Sequence, residues 1–201
     1  MTRHVRWITT TALGALLLAG GAGCGDETVT PPPNKVDVGW TAFASGDLDE
    51  AKTQFESALA DDPGDSEANN GLGWTRLRLD ELDGAITSFE AALTNGFTGP
   101  DPDAGKAIIL RDRVPLDYPA AISAALAALA KNANFVFSHD TSLDWRDLRL
   151  VLAHAYYATG AYGSAGAEVT ALGGTAPDSQ ADDYPRQLLA EIERLTRQYG
   201  G

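Results

Sequence analysis

Cysteine is almost absent from this chain: Cys24 is the only one among 201 residues. No intramolecular disulfide can form and no cysteine-based zinc site can be built, so the role of Cys24 must follow from its position. Histidine is nearly as scarce, and His4, His139 and His154 fall in different segments that do not read as a converging metal site. The acidic stretches Asp61, Asp62, Asp65, Glu67 and Asp101-Pro102-Asp103 lack the alternating oxygen spacing with a central glycine that a calcium loop requires, and read as solvated turns. No serine stands in a glycine-framed elbow and no glycine loop is shaped for phosphate. Ser138-His139-Asp140 are sequence neighbours, whose side chains cannot face one another as a triad must. No catalytic residue, metal or cofactor is therefore expected, and the chain reads as a non-enzyme.

Basic residues are in short supply too, 15 Lys and Arg against 28 Asp and Glu, for a net charge of −13. Affinity for phosphate backbones comes largely from Lys and Arg releasing counterions, so DNA and RNA are not expected partners. The same charge favours basic surfaces on a protein partner. Hydrophobic residues at 44% and charged residues at 21% are ordinary for a folded chain, and the length suits one domain.

Long hydrophobic runs are missing as well. Trp7 to Ala19 is apolar but short and interrupted by Thr9, Thr10 and Thr11, which suits a cleaved leader better than a permanent span. It is preceded by Arg3, His4 and Arg6 and followed by the small residues Gly20, Gly21, Ala22 and Gly23, directly before Cys24. This arrangement resembles the lipobox of bacterial lipoproteins, with Gly21 where leucine is usual. The resemblance implies a signal peptide over 1–23 and lipidation of Cys24 as the new N-terminus; an ordinary secretory leader holding a chance cysteine is the alternative. Gly25 to Pro33 is polar and proline-rich, the composition of an extended tether, so 24–33 reads as lipidated cysteine plus linker. Loss of Arg3 and Arg6 with the leader would leave 13 basic residues against 28 acidic ones, a charge of −15. In lipoproteins the residue after the cysteine influences sorting, and Gly25 is not the retaining aspartate, which favours the outer membrane.

The remainder, 34–201, repeats itself. Gly39-Trp40 recurs as Gly73-Trp74, Leu48 as Leu82, Ala51 as Ala85, Phe55 as Phe89 and Ala58-Leu59 as Ala92-Leu93, each 34 residues on. Leu48, Ala51, Phe55, Ala58 and Leu59 advance by three and four, the spacing of one apolar helical stripe, with Gly46 before it and Pro63 after it as breakers. Ala153, Tyr156, Gly160, Tyr162, Ala165, Val169 and Pro177 form a later copy, each 114 residues beyond its counterpart in the first. Tyr118, Ala121, Ala125 and Ala128 repeat the second-helix spacing of a degenerate unit whose first helix would cover about 104–114, shortened by Pro115. Residues 184–199 put Leu188, Leu189, Ile192 and Leu195 on one face, as a polar-backed cap does.

Period, residue types and helix pairing resemble the tetratricopeptide-repeat (TPR) family. The resemblance implies an all-α solenoid of about four helix pairs, over 34–65, 66–99, 102–134 and 146–179, with a capping helix over 183–199. It also implies a concave groove that binds proteins or peptides. Carrying the family's groove positions over gives Trp40, Phe43 and Ala44 from the first unit, Trp74, Leu77 and Arg78 from the second, Lys106 and Arg113 from the third, and His154, Tyr157 and Ala158 from the fourth. Large aromatics interleaved with basic residues suit peptide anchoring. Trp40 and Trp74 equally suit packing between adjacent repeats. The aromatic stretch 135–145 lies outside the repeat register and reads as an inserted loop held down by its rings.

Two functions are consistent with this. One is an envelope lipoprotein, membrane-anchored through its lipid, acting as a TPR adaptor for proteins or peptides of the cell envelope. The other is a glycan- or peptidoglycan-binding lipoprotein using Trp40, Trp74 and Tyr157 as stacking platforms.

Overall fold

The computed structural model describes residues 33–200. The expected signal peptide, Cys24 and the tether before Pro33 lie outside the described residues.

Among the described residues the chain forms α1 (Lys35–Ser45), α2 (Leu48–Asp61), α3 (Ser66–Arg78), α4 (Leu82–Thr94), α5 (Asp101–Asp112), α6 (Tyr118–Lys131), α7 (Trp145–Ala158), α8 (Tyr162–Ala171) and α9 (Tyr184–Tyr199). The starts follow from short polar side chains meeting free N–H groups. The Asn34 side chain accepts from Val36 N–H, Asp65 from Glu67 and Ala68, Asp117 from Ala120, and Asp144 and Asp147 cap α7 reciprocally. Within a unit the chain reverses through one residue in the left-handed region: Gly46 (φ 84), Asp80 (φ 61) and Gly160 (φ 77). These are equivalent positions. In the third unit the equivalent is Val114, followed by Pro115, and the turn over 113–117 is longer.

Each odd-numbered helix packs on the even one that follows, and α1, α3, α5, α7 and α9 also touch in succession. The odd helices thus make the inner layer and α2, α4, α6 and α8 the outer one. The expected all-α solenoid of four helix pairs and a cap is the fold observed. Phe55 and Phe89, fully buried on α2 and α4, wedge between successive inner helices where glycine leaves room. A Cβ on Gly71 would lie 2.3 Å from the Phe55 ring, and one on Gly105 2.3 Å from Phe89. The apolar interior falls into two clusters, one running from α1 to α7 and one joining α7, α8 and α9 through Leu150, Val169, Leu188, Ile192 and Leu195.

The only β pairing among the described residues is a single antiparallel bridge, Val136 with Asp144, in the connection between α6 and α7.

Candidate protein-binding groove

The inner layer carries Trp40 on α1 and Trp74 on α3, at equivalent positions of the first two units. Neither is open. Trp40 is 7% exposed, Trp74 3% and the adjoining Phe43 fully buried, because the connection 132–144 folds back as a small hairpin over them. Phe137 stacks on Trp74 with centroids 4.1 Å apart and meets Trp40 and Phe43 edge-on at 6.1 Å. His139 lies flat on Trp40, centroids 3.6 Å apart and planes 4° from parallel. Phe55 and Phe89 close the far sides, edge-on to Trp40 and Trp74. The expectation of aromatics presented to a partner is corrected here for Trp40, Phe43 and Trp74: they are interior, under a loop of the same chain. Burial pushes the His139 imidazole below the usual histidine range.

The two indoles differ in their polar ends. Trp40 Nε1–H donates to Glu67 Oε1 at 2.9 Å. Glu67 itself is held above the usual carboxylate range by burial, against the lowering effect of that bond. The residue equivalent to Glu67 in the next unit is Asp101, one methylene shorter. Trp74 Nε1 finds no protein acceptor, and the Asn70 side-chain oxygen on the same helix is likewise buried and unmatched.

Further along, the inner face opens. Arg111, Tyr118, His154, Tyr157 and Thr196, from α5, α6, α7 and α9, surround a cavity of about 340 Å³. His154 Nε2 lies 2.9 Å from Thr196 Oγ1, which ties the fourth unit to the cap. Burial first and the positive charge of Arg111 second hold His154 below the usual histidine range. Tyr157 is half-buried and leans on Tyr162, with centroids 5.3 Å apart. Arg111 is braced by Asp112, its Nε 2.7 Å from Oδ1.

Of the other expected groove residues, Leu77 is half-buried against the core. Arg78 is exposed but serves its own fold, with Nη1 3.4 Å from the Phe43 carbonyl and the guanidinium 4.8 Å from the Phe43 ring centre. Lys106 and Arg113 do not join His154 and Tyr157. They turn to α4, where Lys106 pairs with Glu90 at 3.2 Å and Arg113 with Asp83 at 2.6 Å. The reason is register. Gly71 and Gly105, 34 residues apart, both abut the phenylalanine of the preceding unit, so α5 keeps the repeat spacing. Ala121 on α6 stands where that spacing would put residue 119, and the longer turn 113–117 absorbs the offset. Counting α5 back from α6 shifts it by the same amount. The true equivalents of Trp74 and Leu77 are Ile108 and Arg111, and Arg111 is the basic groove residue that sequence reading missed. The unbroken 34-residue spacing from Gly71 to Gly105 was the available signal.

The family model described as tetratricopeptide repeat matches residues 37–104. These units are tetratricopeptide repeats. The TPR fold extends beyond the matched stretch, as solved structures show. The crystal structure of MamA protein superposes with a TM-score of 0.59 at 17% identity, covering 82% of this chain and 89% of that one. A thermophilic TPR protein of Thermus thermophilus gives 0.54 at 21%, covering 83% and 82%. PilW, described as a widely conserved type IV pilus biogenesis factor, gives 0.56 at 20%, covering 83% and 69%. At such identities the likeness is one of fold alone. No curated protein matches the chain.

Proposed function

We propose that this TPR protein is an envelope lipoprotein, anchored through Cys24 and most suited to the outer membrane, whose array acts as a scaffold for protein partners. The observation that carries the binding role is the open stretch of inner face around Arg111, His154 and Tyr157, in a fold whose interior offers no other use for those groups. A partner peptide would lay an apolar side chain against Tyr157 and Tyr118 and give its polar groups to Arg111, whose planar donors suit a carboxylate or carbonyl. The glycan reading has lost support, since two of its three stacking platforms, Trp40 and Trp74, are covered. Anchoring follows from the leader, the cysteine beside it and the tether: buried methylenes contribute about 0.8 kcal/mol each, and two or more acyl chains hold stably.

Both parts are testable in cells. A photo-crosslinker in place of Tyr157 should capture one envelope protein, and Arg111→Glu should abolish that product without changing the melting temperature; a product that survives Arg111→Glu removes this stretch as the binding site. Wild-type protein should fractionate with membranes and Cys24→Ser should be either uncleaved or released, whereas a soluble pool in both would refute the anchor.

A further inference from the structure

The hairpin 132–144 lies on α1 and α3 through rings alone. Its backbone bonds close on the segment itself: Phe137 N–H donates to Leu143 O, Asp140 N–H to Phe137 O, Leu143 N–H to Asp140 O and Trp145 N–H to Phe135 O. Its polar side chains do likewise, Ser142 donating to Asp140 and Asp144 capping α7. Among the described residues no hydrogen bond joins it to α1 or α3. Its side chains alternate: Phe135 and Phe137 are buried and His139 lies on Trp40, while Val136, 49% exposed, and Ser138 face out. That is one face of an extended strand, presenting rings at every second residue. Ring contacts of this kind would be made equally by another extended segment with the same alternation.

A second observation points to another occupant. Trp74 and Asn70, the latter 2% exposed, sit one turn apart on α3, and the resident hairpin leaves the indole N–H and the amide oxygen unmatched. Buried polar groups in folded proteins are nearly always paired. An extended backbone brings one carbonyl acceptor and one N–H donor per residue, the two functions missing here.

We propose that the inner face of the first two units is a docking site for an extended segment of a partner protein bearing aromatic side chains at alternate positions, with residues 132–144 as its resident occupant in cis. The partner's rings replace Phe137 on Trp74 and His139 on Trp40, and its backbone pairs with Trp74 Nε1–H and the Asn70 oxygen. A tethered occupant competes at an effective concentration in roughly the millimolar range, so the partner must bind tightly enough to displace it. This site rests on the reading that the array binds protein segments. It uses a different stretch from the Arg111 cavity, so either can fail alone.

The test uses the chain from residue 25 onward and a synthetic peptide of residues 132–144. In the double variant Phe137→Ala, His139→Ala the resident loses both rings, and the peptide should bind at least about tenfold more tightly than to wild type. A peptide carrying the same two replacements should not bind. A helical double variant that takes up no peptide, or equal affinity for both proteins, overturns the proposal. If the double variant does not fold, hydrogen exchange of the wild type decides. The amides of Phe137, Leu143 and Trp145 should exchange at least about tenfold faster than those buried in α3, whereas exchange of both sets at the rate of global unfolding overturns it.

Discussion

The inner face of this array has two halves built on the same helical plan and finished differently. In the first two units the equivalent positions carry Trp40 and Trp74, and the chain returns from the far side of α6 to cover them with Phe137 and His139. In the last two they carry Ile108 and His154, nothing returns to cover them, and the cap α9 touches the face through Thr196. The repeats therefore set where a groove runs, and the connections between them set which part of it stays open. Large rings need covering because exposing them to water forfeits the gain from burial, roughly 25 cal/mol per Å². A half-polar residue such as His154 needs only one hydrogen bond.

The largest expected effect tests whether the covered half is one core or a core plus an occupant. Phe55 and Phe137 are both essentially unexposed and both touch Trp40. Phe55→Ala removes a wedge between α1 and α3 and should cost about 3–5 kcal/mol in chemical denaturation. On burial alone Phe137→Ala should cost the same. The hairpin can instead leave the face while the helices stay folded, which caps the loss, so a clearly smaller value is expected. Equal losses would mean that the hairpin unfolds only with the whole array.

This contrast also marks what was legible in the sequence. The helix pairs could be read because their cause is local: a stripe at three- and four-residue spacing recurring every 34 residues needs no knowledge of distant contacts. The third unit was read less well, since Pro115 and a longer turn break the register between its two helices, and the displaced count put Lys106 and Arg113 where Arg111 stands. Phe135, Phe137 and His139 do alternate, a strand-like signal that the residues show plainly. That they land on Trp40, almost a hundred positions earlier in the chain, is a long-range fact with no local cause. The choice for Trp40 and Trp74 between packing and presentation was accordingly open from sequence, and the hairpin closes it.

A smaller effect separates the two tryptophans. Replacing either by phenylalanine removes comparable apolar area from the same cluster, but the polar consequences differ. Trp40→Phe takes away the N–H that Glu67 accepts at 2.9 Å and leaves a carboxylate in a partly buried place without its partner. Trp74→Phe removes a donor that had none. Trp40→Phe should therefore cost about 1 kcal/mol more than Trp74→Phe, the usual net worth of a hydrogen bond. A reversed order in urea midpoints would show that the Trp74 indole has an acceptor in solution.

The finest distinction between the halves is their response to acid, since each holds one imidazole: His139 on the covered face and His154 on the open one. Both are held below the unfolded value of 6.5, His139 by burial and His154 by burial and then by Arg111. As pH falls through 6.5 the unfolded chain takes up these protons first, so the folded state loses stability until each folded imidazole titrates in turn. Glu67, Asp101 and Asp147 act in the opposite sense. Burial raises all three above their ordinary values of 4.5, 3.8 and 3.8, so the folded state binds their protons first and regains stability, but nearer to their own range. The melting temperature should thus decline between about pH 7.5 and about pH 5.5, and this decline should be shallower in the double variant His139→Gln, His154→Gln. The single variants assign it. If His154→Gln alone flattens the profile, the contact between α7 and α9 carries the sensitivity; if His139→Gln does, the hairpin carries it and should exchange its amides faster at the lower pH. A decline just as steep in the double variant would show that neither imidazole is responsible and that the burial of both is less than the structure gives.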